Sequence, residues 1–115
     1  THAHLFDEVF AGDLEEVVSR ALQNDVEKVF LPNIDESTIP AMLDLCTGHP
    51  GFFYPMLGLH PTEVRADYRE VLGRMEALLQ AGHPFIGIGE VGLDYYWDST
   101  YYKEQQEAFR CQVEW

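Results

Sequence analysis

Phe85-Ile86-Gly87-Ile88-Gly89-Glu90-Val91-Gly92-Leu93-Asp94 is the stretch that decides the architecture. It opens as a buried strand, with Phe85, Ile86 and Ile88 apolar, and sets a single carboxylate, Glu90, where the apolar run stops. Side chains alternate along a strand, so Glu90 is expected on the face of Ile86 and Ile88. A carboxylate continuing a buried face costs free energy unless a cation or hydrogen-bond donors meet it. Gly87, Gly89 and Gly92 weaken a strand and mark a close approach of backbone or ligand. A partner group is therefore expected against Glu90. Thr1-His2-Ala3-His4 offers two imidazoles at alternate positions, and the three residues together are expected to form one metal site.

Outward from that stretch, the 115 residues are 46% hydrophobic, enough for a real core. No apolar run approaches the roughly 18–20 residues that span a bilayer, so no membrane partner is expected. Cys46 and Cys111 lie inside helical patterns without metal-ligand or redox-motif spacing. They are expected to be free thiols in a reducing compartment, which makes a cytoplasmic location the expectation. The formal net charge of −13 argues against a broad patch for long duplex nucleic acid, since phosphate binding is driven by Lys and Arg. A phosphate substrate held by metal ions inside a pocket stays open. Thr1 opens directly on the histidine pair and Trp115 closes within a helical pattern, so a piece of a longer chain, cut at both ends, is expected.

In chain order, a short apolar run through Phe6 is followed by an acidic loop, and Asp13-x-x-Glu16 predicts a capping box for a first helix. Leu14, Val17, Val18, Ala21 and Leu22 carry its apolar stripe. A second strand is predicted from Val26 to Leu31, stopping at Pro32-Asn33. A second helix capped by Asp35 or Ser37 then buries Ile39, Met42, Leu43 and Cys46. A third strand is expected from Phe52 to Leu59 despite Pro55, which is awkward in a central strand. The third helix, from about Asp67 to Gln80, turns Tyr68, Val71, Leu72, Met75, Leu78 and Leu79 inward. After the fourth strand, Phe85 to Glu90, comes an aromatic loop. A fourth helix is then predicted from Thr100 to Trp115, with Tyr102, Phe109 and Val113 on its stripe.

Strand and helix thus alternate in units of roughly 25–32 residues, which predicts parallel strands joined by crossover helices. A doubly wound open sheet would suit the length; a (β/α)8 barrel of the TIM type needs about 250 residues, so this chain would supply its first four βα units. No dinucleotide-binding glycine pattern follows the first strand. His2, His4, His60 and Glu90 all fall at the C-terminal ends of predicted strands, where barrel enzymes keep their chemistry. The half barrel is therefore the expected fold.

Two imidazoles at alternate strand positions can share one divalent ion, although a pair of ordinary surface histidines has the same spacing. Glu90 has two acceptor oxygens and could bridge two ions. Such a pair, about 3.5–4 Å apart, could ready a hydroxide for in-line attack on phosphorus. The simpler reading of Glu90 is a strand-end carboxylate that reaches solvent. His60, before Pro61, is the candidate catalytic proton donor or substrate contact, against the plainer reading of a loop histidine bonded to backbone. Asp94 is a candidate substrate-binding residue or a loop cap. Tyr95, with Tyr96 and Trp97, could stack on a base or simply pack the loop. His49 and His83 sit in loops at the opposite strand ends and are expected to be ordinary.

These motifs resemble the TatD family of metal-dependent hydrolases, among the amidohydrolase-like barrels. Thr-His-Ala-His-Leu at 1–5, Gly-Leu-His-Pro at 58–61 and Gly-Glu-Val-Gly-Leu-Asp at 89–94 carry the likeness. Lys-Glu-Gln-Gln-Glu-Ala-Phe at 103–109 is similar to the helix that follows in this family, so the resemblance covers essentially the whole chain. It implies a barrel hydrolase with two divalent metal ions (zinc, manganese or magnesium). The implied activity is that of a phosphodiesterase-type deoxyribonuclease acting on DNA ends or short single-stranded DNA. Carried over by position, His2 and His4 would bind one ion, Glu90 would bridge both, and His60 would lie in the pocket beside them. The family's other ligands come from later strands, so the chain alone is expected to be inactive and to self-associate, its sheet edges being unpaired. Hydrolysis of C–N bonds or phosphomonoesters on the same scaffold is an alternative, as is a non-catalytic interaction module.

Overall fold

The computed structural model describes residues 1–82 and 84–115. His83 lies outside the described residues. Three strands, β1 (Val29–Pro32), β2 (Phe53–Leu57) and β3 (Gly87–Ile88), form one parallel sheet in the order β1-β2-β3. A fourth segment runs along the free side of β1. His2 bridges Phe30 in parallel, the Phe30 N–H donates to Thr1 O at 2.7 Å, and the Ala3 N–H donates to Phe30 O at 3.1 Å. The expected first strand is thus reduced to one bridge. Its neighbours still follow sequence order without reversal. A doubly wound sheet reverses its strand order at a switch point; a barrel does not.

Helices α1 (Leu14–Gln23), α2 (Ile39–Gly48), α3 (Tyr68–Gln80) and α4 (Tyr102–Glu114) follow the four segments in turn. The first three cover one face of the sheet as their periodicity predicts, except that Leu22 of α1 is 55% exposed. Val29, Leu31 and Phe53 pack with Val18 of α1 and with Met42 and Leu45 of α2, while Leu57 packs with Ile39, Leu72 and Met75. Phe30 and Tyr54, paired in register, touch edge to face on the other side of the sheet, where Phe30 is 41% exposed. That face has no covering layer among the described residues. The molecule is correspondingly flat. Its smallest extent is 21 Å and its radius of gyration 14.9 Å, against roughly 13 Å for a compact chain of this length.

Asp13 and Ile86 depart from the local expectations, whereas the cap at Asp35 and the strand through Pro55 are found as expected. Asp13 stands at the start of α1 but makes no side-chain cap, because its backbone (φ −137°, ψ 16°) departs from the extended form that aims a capping oxygen at first-turn N–H groups. The capping box forms instead between Asp35 and Thr38, around a short 3-10 turn that leads into α2. Pro55 does sit in the central strand. Its carbonyl accepts from Ile86 N at 2.9 Å, so its missing N–H falls on the β3 side, just before the first β2–β3 pair, Met56 with Gly87. No ladder bond is lost there. Ile86, expected to be buried, is half exposed at this short edge.

The largest departure is α4. Its buried stripe is Gln105, Ala108 and Gln112, whereas Tyr102 and Val113 face solvent. α4 lies against the loops at the ends of β2 and β3, where backbone groups leave the sheet ladder and require partners. Amides supply those partners, and apolar side chains would not.

Candidate metal centre

The site grows out of the strand ends. Asn33, directly after β1, is fully buried and joins all three strand ends. Its N–H lies 3.1 Å from Met56 O and 2.9 Å from Gly89 O, and its carbonyl accepts from the Glu90 N–H at 2.9 Å. Its Nδ2 donates to Gly58 O at 2.9 Å and to Asp35 O at 2.8 Å, and its Oδ1 accepts from the Thr38 hydroxyl at 2.8 Å. A Cβ on Gly58 would fall 2.7 Å from the carbonyl carbon of Gly89. Glycine at this position lets β2 lie directly against the Gly89–Glu90 peptide, which is cis.

So held, the Glu90 carboxylate faces three imidazoles. Its Oε2 lies 3.1 Å from His4 Nε2 and 4.0 Å from His2 Nε2, while its Oε1 lies 3.4 Å from His60 Nε2. The His2 and His4 rings are 5.5 Å apart, and His4 also leans on Phe6 at 5.7 Å. One ligand atom each from His2, His4 and Glu90 lies within 4.8 Å of the others; no other such trio of His, Cys, Asp or Glu occurs among the described residues. His4 Nε2 is buried and makes no hydrogen bond, although Glu90 Oε2 is close by. Closeness without hydrogen-bond geometry is what two ligands show when both point at a common third atom. The donor set of two imidazoles and a carboxylate suits a divalent cation such as zinc or manganese, and the residues fit the group.

His60 is held differently. It precedes a 3-10 turn, Pro61–Glu63, and its Nδ1 accepts from the Thr62 N–H at 3.2 Å, with Thr62 Oγ1 at 2.7 Å. A backbone N–H can only donate, so Nδ1 carries the lone pair and the neutral ring keeps its proton on Nε2. His60 therefore presents an N–H, not a ligand lone pair, towards Glu90 Oε1.

Asp94 and Tyr95 stand apart from this cluster. Asp94 Oδ1 accepts from Tyr96 N at 2.9 Å in an Asx turn, and Asp98 Oδ1 does the same for Thr100 N at 2.8 Å. The Thr100 hydroxyl also donates to Asp98, and these bonds hold its carboxyl below the usual range. Tyr95 turns back to α4, where its hydroxyl accepts from Gln106 Nε2 at 3.3 Å and its ring meets Tyr102. Tyr96 and Trp97 pack edge to face with each other and remain about four-fifths exposed, at 83% and 78%. Asp94, Trp97, Asp98 and Tyr101 form one wall of a cleft of about 400 Å³ whose other wall is Thr62 to Arg65. Thr62 thus touches both His60 and the cleft.

Three buried residues went unread in the sequence: Asn33, Gln105 and Gln112. Gln105 accepts from Asp94 N at 2.9 Å and donates to Asp94 O at 3.0 Å. Gln112 accepts from Leu59 N at 2.7 Å and donates to Leu59 O at 3.4 Å and Ala108 O at 3.2 Å. The Gln105-Ala108-Gln112 spacing is helical, so periodicity of amides was the available signal. The remaining polar features lie elsewhere. His49, at the other end of the strands, pairs with Glu15 at 3.0 Å, and both cysteines are free. No helix among the described residues is long and apolar enough to cross a membrane.

Parallel βα units with histidines and a glutamate converging at the strand ends are the arrangement of a partial TIM barrel with a candidate metal centre. The chain belongs to the TatD-related DNase family, whose model matches residues 1–115. It is 36% identical over 113 residues to the uncharacterized metal-dependent hydrolase YabD of Bacillus subtilis, covering 98% of this chain and 44% of that protein. It is 28% identical over 105 residues to the 3'-5' ssDNA/RNA exonuclease TatD of Pantoea sp., covering 91% of this chain and 40% of that one. The crystal structure of YjjV, a TatD homolog from Escherichia coli K12, superposes with a TM-score of 0.85 at 29% identity, covering 99% of this chain and 44% of that chain. The chain thus spans less than half the length of the relatives it matches, and its fold is the corresponding part of a TIM barrel.

Proposed function

We propose that these residues are the N-terminal part of a single barrel domain that hydrolyses phosphodiester bonds with two divalent ions. The substrate class proposed is DNA ends or short single strands. The observation that carries this reading is the convergence of His2, His4 and Glu90, with His4 Nε2 buried and unbonded. His2 and His4 would hold one ion through ring nitrogens, and Glu90, whose Oε2 lies nearest them, would offer its other oxygen, Oε1 on the His60 side, to a second ion. Divalent ions in such a site supply Lewis-acid polarisation of a phosphoryl oxygen and lower the pKa of water. His60, with its proton on Nε2, would donate a hydrogen bond to a phosphate oxygen. The exposed Tyr96 and Trp97 beside the cleft would offer π faces to unstacked bases.

The acidic balance of the chain, −13 overall, favours a substrate held by few phosphates over a long duplex. The name of the Pantoea relative, an exonuclease of single-stranded DNA and RNA, agrees with that class. The test is release of nucleotides from single-stranded oligonucleotides by a version extended through the remaining strands, assayed beside a phosphomonoester and an amide. Metal-dependent release from the oligonucleotide, abolished by Glu90→Gln, supports the reading. Turnover of the monoester or the amide alone would overturn it. The 115 residues by themselves are expected to show none of the three activities.

A further inference from the structure

We propose that Gln112 is a positioning residue: by gripping the backbone of Leu59 it sets His60 against Glu90. The approach to His60 is a run of two residues, Gly58 and Leu59, that has left the sheet ladder. Asn33 takes the Gly58 carbonyl through Nδ2 at 2.9 Å. Gln112, from α4 and 53 residues away in sequence, takes both polar groups of Leu59, the N–H at 2.7 Å and the carbonyl at 3.4 Å. The His60 N–H then donates to Ile34 O at 2.8 Å. Three consecutive residues are thus tied to β1's loop on one side and to α4 on the other. What this fixes is the 3.4 Å approach of His60 Nε2 to Glu90 Oε1.

An amide is the side chain that can accept from an N–H and donate to a carbonyl of one residue while remaining uncharged. A carboxylate would lose the donors, and a lysine the acceptor. A buried charge here would also add its field to a site that binds cations. Gln105, seven residues earlier on the same helix, makes the same double contact with Asp94 and touches neither His60 nor its approach. It is a built-in control, a buried glutamine with the same double backbone contact on a different loop.

The inference rests on the reading of His60 as hydrogen-bond donor to the substrate only for its catalytic consequence. The test therefore reads ring geometry as well as rate. In the full-length protein labelled with nitrogen-15 histidine, the His60 ring signals, assigned with a His60→Gln variant, are compared among wild type, Gln112→Met and Gln105→Met, beside thermal unfolding. Both variants are expected to lower Tm, since each leaves buried backbone groups unpaired. Only Gln112→Met is expected to move the His60 signals, and that variant is also expected to lower kcat about tenfold or more with KM little changed, while Gln105→Met serves as a control for the His60 signals alone. Gln112→Glu, which keeps the acceptor for Leu59 N, is expected to fall between, and it carries the comparison if Gln112→Met does not fold. Unmoved His60 signals in both Gln112 variants, or equal movement in Gln105→Met, would overturn the proposal. A moved His60 without hydrolysis in any form would leave the positioning intact and sink the hydrolase reading.

Discussion

A methyl group on Gly58 would lie 2.7 Å from the carbonyl carbon of Gly89 and 2.9 Å from the carbonyl oxygens of Gly89 and Glu90. All three are backbone atoms, which cannot swing aside as a flexible side chain does. Gly58→Ala must therefore push the Gly89–Glu90 peptide away from β2. We predict a loss of about 1–3 kcal/mol in stability, the usual cost of overpacking, from denaturant unfolding. Weaker metal binding is predicted to accompany it, because Glu90 moves with the peptide. An alanine variant with wild-type stability and wild-type metal binding would contradict the close approach.

Cys46 sits half-buried on α2, and desolvation pushes its thiol up to about 11 from 9.0. Nucleophilic reactivity follows the thiolate, so at neutral pH Cys46 should hold about 100-fold less of it than an unperturbed thiol. Alkylation by iodoacetamide is predicted to be correspondingly slow in the native protein and to accelerate sharply in urea. Cys111 is raised by the same cause and should also lag. Rapid native alkylation of Cys46 would show that this part of the core is open.

Arg74 of α3 makes a two-pronged contact with Glu36, Nε to Oε1 at 2.7 Å and Nη2 to Oε2 at 2.8 Å, and holds the Glu36 carboxyl below its ordinary 4.5. A carboxyl depressed in the folded state stabilises that state above its unfolded pKa, and the contribution is lost as pH falls through the folded value. Arg74→Leu is therefore predicted to lower Tm modestly at pH 7, and the gap to wild type is predicted to close as the pH drops below about 4.5. A gap that persists unchanged at pH 3 would point to packing by the arginine stem instead.

Trp97 is 78% exposed and lines the cleft with Thr62, whose hydroxyl in turn contacts His60. If it stacks on a base, Trp97→Ala should weaken binding of a short single strand by about 1–3 kcal/mol, with no change in Tm. Fluorescence anisotropy of a labelled oligonucleotide measures the first quantity and thermal unfolding the second. Equal affinity in the variant would assign Tyr96 and Trp97 to packing between the loop and the rest of the barrel.

The parts of this structure that were legible in the sequence are those governed by burial of apolar side chains or by the cost of burying a charge. α3 turned inward the residues its periodicity names, from Tyr68 to Leu79. Glu90 was singled out by the cost of burying a charge; its side chain is about one-third exposed, and its carboxylate faces His2, His4 and His60. α4 was misread because the rule that apolar residues face inward fails against the ends of a sheet. There Leu59 and Asp94 needed donors and acceptors, so Gln105 and Gln112 went inside and Val113 went out. Asn33 was invisible for the same reason. Its partner Gly58 is 25 residues away, and nothing local marks it as other than a residue after a strand.

In the proposed metal centre His2, His4 and Glu90 are ligands of one divalent ion. Calorimetric titration of Mn²⁺ or Zn²⁺ into the metal-free protein tests it most directly, comparing wild type with His4→Ala and Glu90→Gln. Both variants are predicted to fold and to bind the ion at least about tenfold more weakly, because each removes a donor from the same ion. Affinity unchanged in both would mean that the buried, unbonded Nε2 of His4 has some other purpose, and the metal centre would have to be abandoned.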